Sequence, residues 1–200
     1  MASEDEAGFR VESKRFSEIM VRARKYGCRA VLLSAGLAAV TVAAGLLPAR
    51  AADDPTLARF VGEWIGRGTY RAGPSADPEQ LYCKITNRLI EDGSALQQTG
   101  RCAIPSQSGL VKGRIAAKGG GRYDGSLQSL STDGPATLAG TGAGGKLSLT
   151  ADFISRATHK PGKSIITLVA GKDGYTLTST PVGANGKPRY SANELTFTHN

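Results

Sequence analysis

Two cysteines, Cys83 and Cys102, stand 19 positions apart, and midway between them the chain reads Glu91-Asp92-Gly93-Ser94. Asp-Gly readily supplies the left-handed backbone that a two-residue hairpin turn demands. Folding the chain at Asp92-Gly93 brings Cys83 directly opposite Cys102. The same register sets Leu89 opposite Leu96, Asn87 opposite Gln98, Ile85 opposite Gly100 and Leu81 opposite Ile104. Alternate strand residues point to opposite faces, so both cysteines and most apolar residues share one side. The spacing therefore predicts an antiparallel hairpin stapled by a cross-strand disulfide, which contributes about 3 kcal/mol by the loop-entropy estimate.

Two further glycine turns pass the same test. With Gly144-Gly145 at the tip, Leu147, Leu149, Ala151 and Phe153 share a face with Gly142, Gly140, Leu138 and Ala136. With Asp173-Gly174 at the tip, Ala170 faces Leu177 and Leu168 faces Ser179, with Ile166 on the same side. Short β-type runs follow at 62–71, 80–90, 95–104, 110–118, 122–129, 136–142, 146–153, 163–170, 175–180 and 193–198. Pro55 to Val61 reads as one helical turn ahead of them. Gly73 to Pro78 and Pro181 to Ser191 read as long loops. A meander of about ten antiparallel strands has two bare edges, and closing into a barrel removes both. The expected fold is an all-β, up-and-down barrel; a two-sheet sandwich is the alternative.

The first 51 residues are expected to lie outside that fold. Ala30 to Leu47 is an apolar run behind the basic residues Arg22, Arg24, Lys25 and Arg29, and Ala49-x-Ala51 follows as a small-residue cleavage signal. Cleavage after Ala51 leaves a single domain, 52–200, in the periplasm or outside the cell. The alternative is a retained anchor, since the run is just long enough to span a bilayer. Met1 to Ile19 is unusually acidic for such a leader, and a start at Met20 gives an ordinary basic one. An even pair of cysteines in an exported domain also reads as one disulfide.

The formal charge is +8 at pH 7. The leader holds 8 basic and 5 acidic residues, and the remainder holds 17 and 12, so the domain carries +5. Its cations form no runs, which predicts a solubilising surface with weak attraction to anionic envelope polymers. No basic helix or basic-aromatic platform suggests nucleic-acid binding. Only His159 and His199 accompany the cysteines, too few for a zinc site, and no cofactor is implied.

The segment Phe60-Val61-Gly62-Glu63-Trp64-Ile65-Gly66-Arg67-Gly68-Thr69-Tyr70 resembles the Gly-x-Trp opening strand of lipocalins and related calycin barrels. In outline the likeness extends over the rest of the chain, nearest to small exported bacterial lipocalin-like proteins. It implies that Gly62 and Trp64 close one barrel end, with Trp64 packed on a basic residue near the last strand; Arg189 is the candidate. Trp64 is thus expected to be structural, like most lone tryptophans in small β domains.

Asn87 and Gln98 share the apolar face, where they either satisfy each other or fix a polar group of a ligand in an apolar cavity. His159 falls in a turn. Asp124 and Asp152 form no acid–base pair, with Asp152 directed outward. Gly119-Gly120-Gly121 lacks the Lys and Ser/Thr of a phosphate loop. No nucleophile motif is present. Three function classes follow. The first is a monomeric binding protein for a small apolar or amphipathic ligand. The second is an envelope accessory protein, such as a protease inhibitor inserting Ala52 to Thr56. The third, an enzyme, has no constellation to support it.

Overall fold

The structure, a computed structural model, describes residues 53–200. The apolar leader, its cleavage signal, the Met20 start and the expected new terminus at Ala52 lie outside the described residues. A short 3-10 turn, Leu57–Phe60, precedes ten strands. These are β1 Gly62–Tyr70, β2 Glu79–Ile90, β3 Ala95–Ile104, β4 Gln107–Ala117 and β5 Arg122–Gln128. They continue with β6 Ala136–Ala143, β7 Lys146–Ile154, β8 Pro161–Ala170, β9 Gly174–Pro181 and β10 Asn193–His199. Every strand is antiparallel to its sequence neighbour, and β10 returns to pair with β1, so the sheet closes on itself. The expected barrel is the fold.

Period-2 alternation decides which way each side chain faces. In β2, Leu81, Cys83, Ile85 and Asn87 are buried while Tyr82, Lys84 and Arg88 are exposed. Inward residues such as Leu138, Leu147, Leu149 and Leu168 form the core. Outward positions are dominated by threonine, lysine and arginine. An apolar interior within a polar exterior is the reverse of a membrane-spanning barrel, whose lipid-facing band is apolar. No helix among the described residues is long and apolar enough to cross a membrane.

The first two predicted registers hold along the whole of each paired ladder. Cys83 lies opposite Cys102, Asn87 opposite Gln98 and Leu89 opposite Leu96; Gly142 lies opposite Leu147 and Gly140 opposite Leu149. Asp92 and Gly93 adopt φ of 51° and 83°, and Ser94 N–H closes the turn on the Glu91 carbonyl at 3.1 Å. The third register needs correction. Ala170 faces Tyr175 and Leu168 faces Leu177, a slip of two residues that keeps the face but moves the tip to Lys172-Asp173. Gly174 belongs to β9, and it is glycine for a different reason: a Cβ there would stand 1.9 Å from the Phe197 carbonyl oxygen.

The two barrel ends differ. At one end the connections are tight, spanning 91–94, 118–121, 144–145 and 171–173. At the other lie the longer loops 71–78, 129–135, 155–160 and 182–192. The tight end is sealed by the Leu57–Phe60 turn, whose Leu57 and Phe60 are fully buried. Asp54 ties this plug down. Its Oδ1 accepts the Thr56 and Leu57 N–H groups, and the Tyr123 hydroxyl donates to the same carboxylate. Asp54 N–H reaches the Gly93 carbonyl at 3.0 Å, locking the plug to the β2–β3 turn.

Candidate functional site

The plug forms the floor of the site. The Phe60 carbonyl accepts two hydrogen bonds, from Trp64 Nε1 at 3.0 Å and Asn87 Nδ2 at 2.9 Å. Asn87 Oδ1 in turn accepts from Gln98 Nε2 at 3.2 Å. Around this polar chain sits an aromatic cluster. Tyr175 meets Phe60 and Trp64 edge-on and stacks on Phe197, with centroids 4.4 Å apart. Gly62 explains its place in the Gly-x-Trp motif: φ is 145°, and a Cβ would crowd the Trp64 indole at 3.2 Å.

Above the floor lies a cavity of about 640 Å³, open between the long loops. Ile85, Gln98 and Phe197 line its lower part, and Val111, Ile166 and Leu195 line its walls. The Cys83–Cys102 disulfide is bonded and faces inward, so its sulfurs form part of the wall. Small residues act in two ways. Ala136 and Ala151 widen the cavity, whereas Gly140 and Gly142 sit below it. There a Cβ would strike the Ser148 carbonyl or the Leu147 side chain, so those glycines let the sealed end collapse tightly.

The mouth has a one-sided charge. Arg71, Arg156, Lys163 and Arg189 line it, and no carboxylate does. Two of the four cations are engaged elsewhere. Lys163 pairs with Asp152 at 3.1 Å, and Arg156 donates to the Thr132 carbonyl from both Nε and Nη2. Arg71 and Arg189 form no ion pair among the described residues. Glu79, at the rim, accepts from Ser106 Oγ. Just inside, the Ser164 and Ser179 hydroxyls bond each other at 2.9 Å. Tyr70 shares this rim; burial pushes its phenol pKa up, helped by the nearby Tyr190 and Glu79.

The residues singled out from sequence fall into two groups. Asn87, in β2, holds the plug from the barrel wall, and Gln98 links Asn87 to the cavity. Arg189 does not meet Trp64. It precedes β10 at the open end, whereas Trp64 lies beside the other end of that strand, opposite His199. His199 stacks on the indole at 4.1 Å, filling the role expected of a basic partner. His159 is exposed beside Asp133. Asp152 points outward to Lys163, and Asp124 to Lys118. The segment imagined as an inserting inhibitor, in its described part, is pinned: Asp54 is bonded to Gly93 and Tyr123, and Thr56 is 5% exposed.

Sequence parity places Ser179 on the inward face without giving it a role, and Arg71 and Ser164 were not anticipated. The parity that sets Ser179 inward would also have found Ser164, which interrupts the inward apolar series of β8. Arg71 carries no such signal, because it follows β1 in an irregular loop. The chain matches no protein-family model and no curated protein sequence.

Proposed function

We propose that this barrel is an exported binding protein, lipocalin-like in architecture, for a small amphipathic molecule with an acidic end. The observation that carries this reading is the pairing of an apolar chamber with two unpaired guanidinium groups at its mouth, the cavity lining itself holding no carboxylate and Glu79 at the rim being engaged by Ser106. Ligand sites are mostly apolar with a few placed polar groups, and this one has that composition. Arginine suits a planar carboxylate or phosphate because it donates two parallel hydrogen bonds. The tail enters between Ile166 and Leu195; the acidic group stays near Arg71 and Arg189. Binding, with no chemical step, is the function, and the interior disulfide suits an oxidising compartment outside the cytoplasm.

Native mass spectrometry of the protein purified from its own cells tests the reading first. An adduct lost on denaturation supports it. Displacement of an apolar fluorophore by a matched series, an alkyl carboxylic acid, its alcohol and its amine, then tests the acidic end. The acid should displace about tenfold better than the alcohol, as charge-assisted bonds predict. Equal displacement by acid and alcohol removes the acidic end but leaves a carrier; no fluorophore binding and no adduct removes the carrier.

A further inference from the structure

The cations of this barrel gather on one flank. On the outer faces of β1 to β4, Arg67, Lys84, Arg88, Arg101 and Lys112 are all exposed, and none forms an ion pair among the described residues. Strand register brings them together: Lys84 lies opposite Arg101, which lies opposite Leu110 on its other side. Arg67 lies opposite Tyr82. Like charges directly opposed across a sheet are destabilising, so Lys84 and Arg101 are a local conflict that folding does not explain. Glu63 is the one carboxylate directed outward from these strands, since Glu91 in the β2–β3 turn is held by Arg114. The outer faces of β6 to β10 are balanced by contrast. There Lys146 and Lys163 are matched by Asp152 and Glu194 among threonines such as Thr141, Thr167, Thr178 and Thr196.

Two large side chains stand within the basic flank, Tyr82 at 45% and Leu110 at 50% exposure. Cations surrounding an exposed aromatic and an exposed aliphatic match the chemistry of an anionic membrane surface. Basic groups there meet headgroup phosphates, and amphipathic side chains settle at the boundary. The flank lies on the convex outside of a closed barrel, so its side chains reach a plane. The shallow depression beside Arg67 runs away from the other cations, toward Glu194 and the threonines of β9 and β10, and does not track a polymer backbone along them. One face of the Tyr82 ring is already covered by the Arg67 guanidinium, 5.6 Å from the centroid, which leaves less of it for base stacking.

We propose that the β1–β4 flank docks the barrel on bilayers rich in anionic phospholipid, a role independent of what the cavity holds. The test is flotation of the purified protein with vesicles of phosphatidylcholine alone or mixed with phosphatidylglycerol. Flotation should require phosphatidylglycerol and fall as added salt screens the charges. The K84A/R101A variant should partition roughly 30-fold more weakly, from the usual contribution of each basic residue near such a surface. Its folding stability should be equal to or above that of the parent, because the opposed cations are removed. K146A/K172A makes the same change in net charge away from the flank and should float like the parent.

Three results would overturn the proposal. Equal flotation with neutral vesicles would mean apolar insertion. Equal weakening in both double variants would mean net charge without a site. Retention on heparin at a salt concentration where no flotation occurs would mean a soluble polyanion as partner.

Discussion

Asn87 Nδ2 donates to the Phe60 carbonyl at 2.9 Å across 27 residues of sequence, and this bond joins the plug to the barrel wall. Asn87 is 1% exposed, so neither end of its amide can turn to water. Asn87→Ala removes the donor to Phe60 and the acceptor for Gln98 together, and leaves a small void. It should cost about 2–3 kcal/mol in denaturant unfolding. Gln98→Ala should cost about 1 kcal/mol or less, because its other side meets the cavity. A ligand-fixing role with no structural part would abolish that order: ligand affinity would fall in both variants while stability stayed level.

Asp54 is the other anchor of the plug, serving as acceptor for two backbone N–H groups and the Tyr123 phenol. Asp54→Ala should destabilise by about 1–2 kcal/mol, as loss of a helix-start acceptor does. Hydrogen exchange should then quicken first at Leu57 to Val61 and around Gly93, well before the β7–β8 core. Uniform acceleration along the chain would show that the plug and barrel open as one unit.

The hairpins were legible because two signals coincide there, a period-2 apolar face and an Asp-Gly or Gly-Gly tip with positive φ. Gly174 was misread because sequence gives the same letter to a turn glycine and to one admitting a neighbouring backbone. The slip by two preserved the face, which is why the fold survived it. Arg189 could have been placed correctly from topology alone. β10 runs antiparallel to β1, so a residue preceding β10 must lie far from Trp64, and the basic partner had to come from the strand's end, where His199 stands. The basic flank was legible only in part. The register folded at Asp92-Gly93 already sets Lys84 opposite Arg101, but Arg67 and Lys112 join them only through the β1–β2 and β3–β4 pairings, which no turn signal had fixed. The cavity depended on which small inward residues face empty space and which admit backbone, as Ala151 and Gly140 illustrate, and alternation does not distinguish them.

The disulfide should matter more to the open conformations than to the shape of the barrel. Cys83 and Cys102 are already held opposite each other by the β2–β3 ladder. Reduction, or Cys83→Ala with Cys102→Ala, should therefore lower unfolding free energy by about 3 kcal/mol while preserving the β-sheet circular dichroism spectrum. Both sulfurs line the cavity, so the fluorophore used for displacement should bind the reduced protein with altered affinity. An unchanged unfolding midpoint on reduction would show that the staple adds nothing beyond the hairpin.

Tyr175, in β9, carries a cost where it packs against the plug. Its hydroxyl is buried without a hydrogen-bond partner among the described residues, the Asn87 amide lying nearby but outside bonding geometry. Tyr175→Phe should therefore be neutral to stabilising, by about 1 kcal/mol, since an unsatisfied polar group is replaced by nothing polar. The same burial pushes the Tyr175 phenol far above its ordinary value of 10.0. Burial also raises Tyr123 and Tyr70. A group whose folded-state pKa is raised holds its stabilising share below the unfolded value and loses it as pH climbs through the folded one. Stability should thus be level through neutrality and fall above about pH 10, with phenolate absorbance from Tyr175 appearing only as the barrel unfolds. In Tyr175→Phe the alkaline decline should be shallower. An early, reversible titration of every tyrosine in the folded protein would mean that the sealed end admits water and that the plug does not close it.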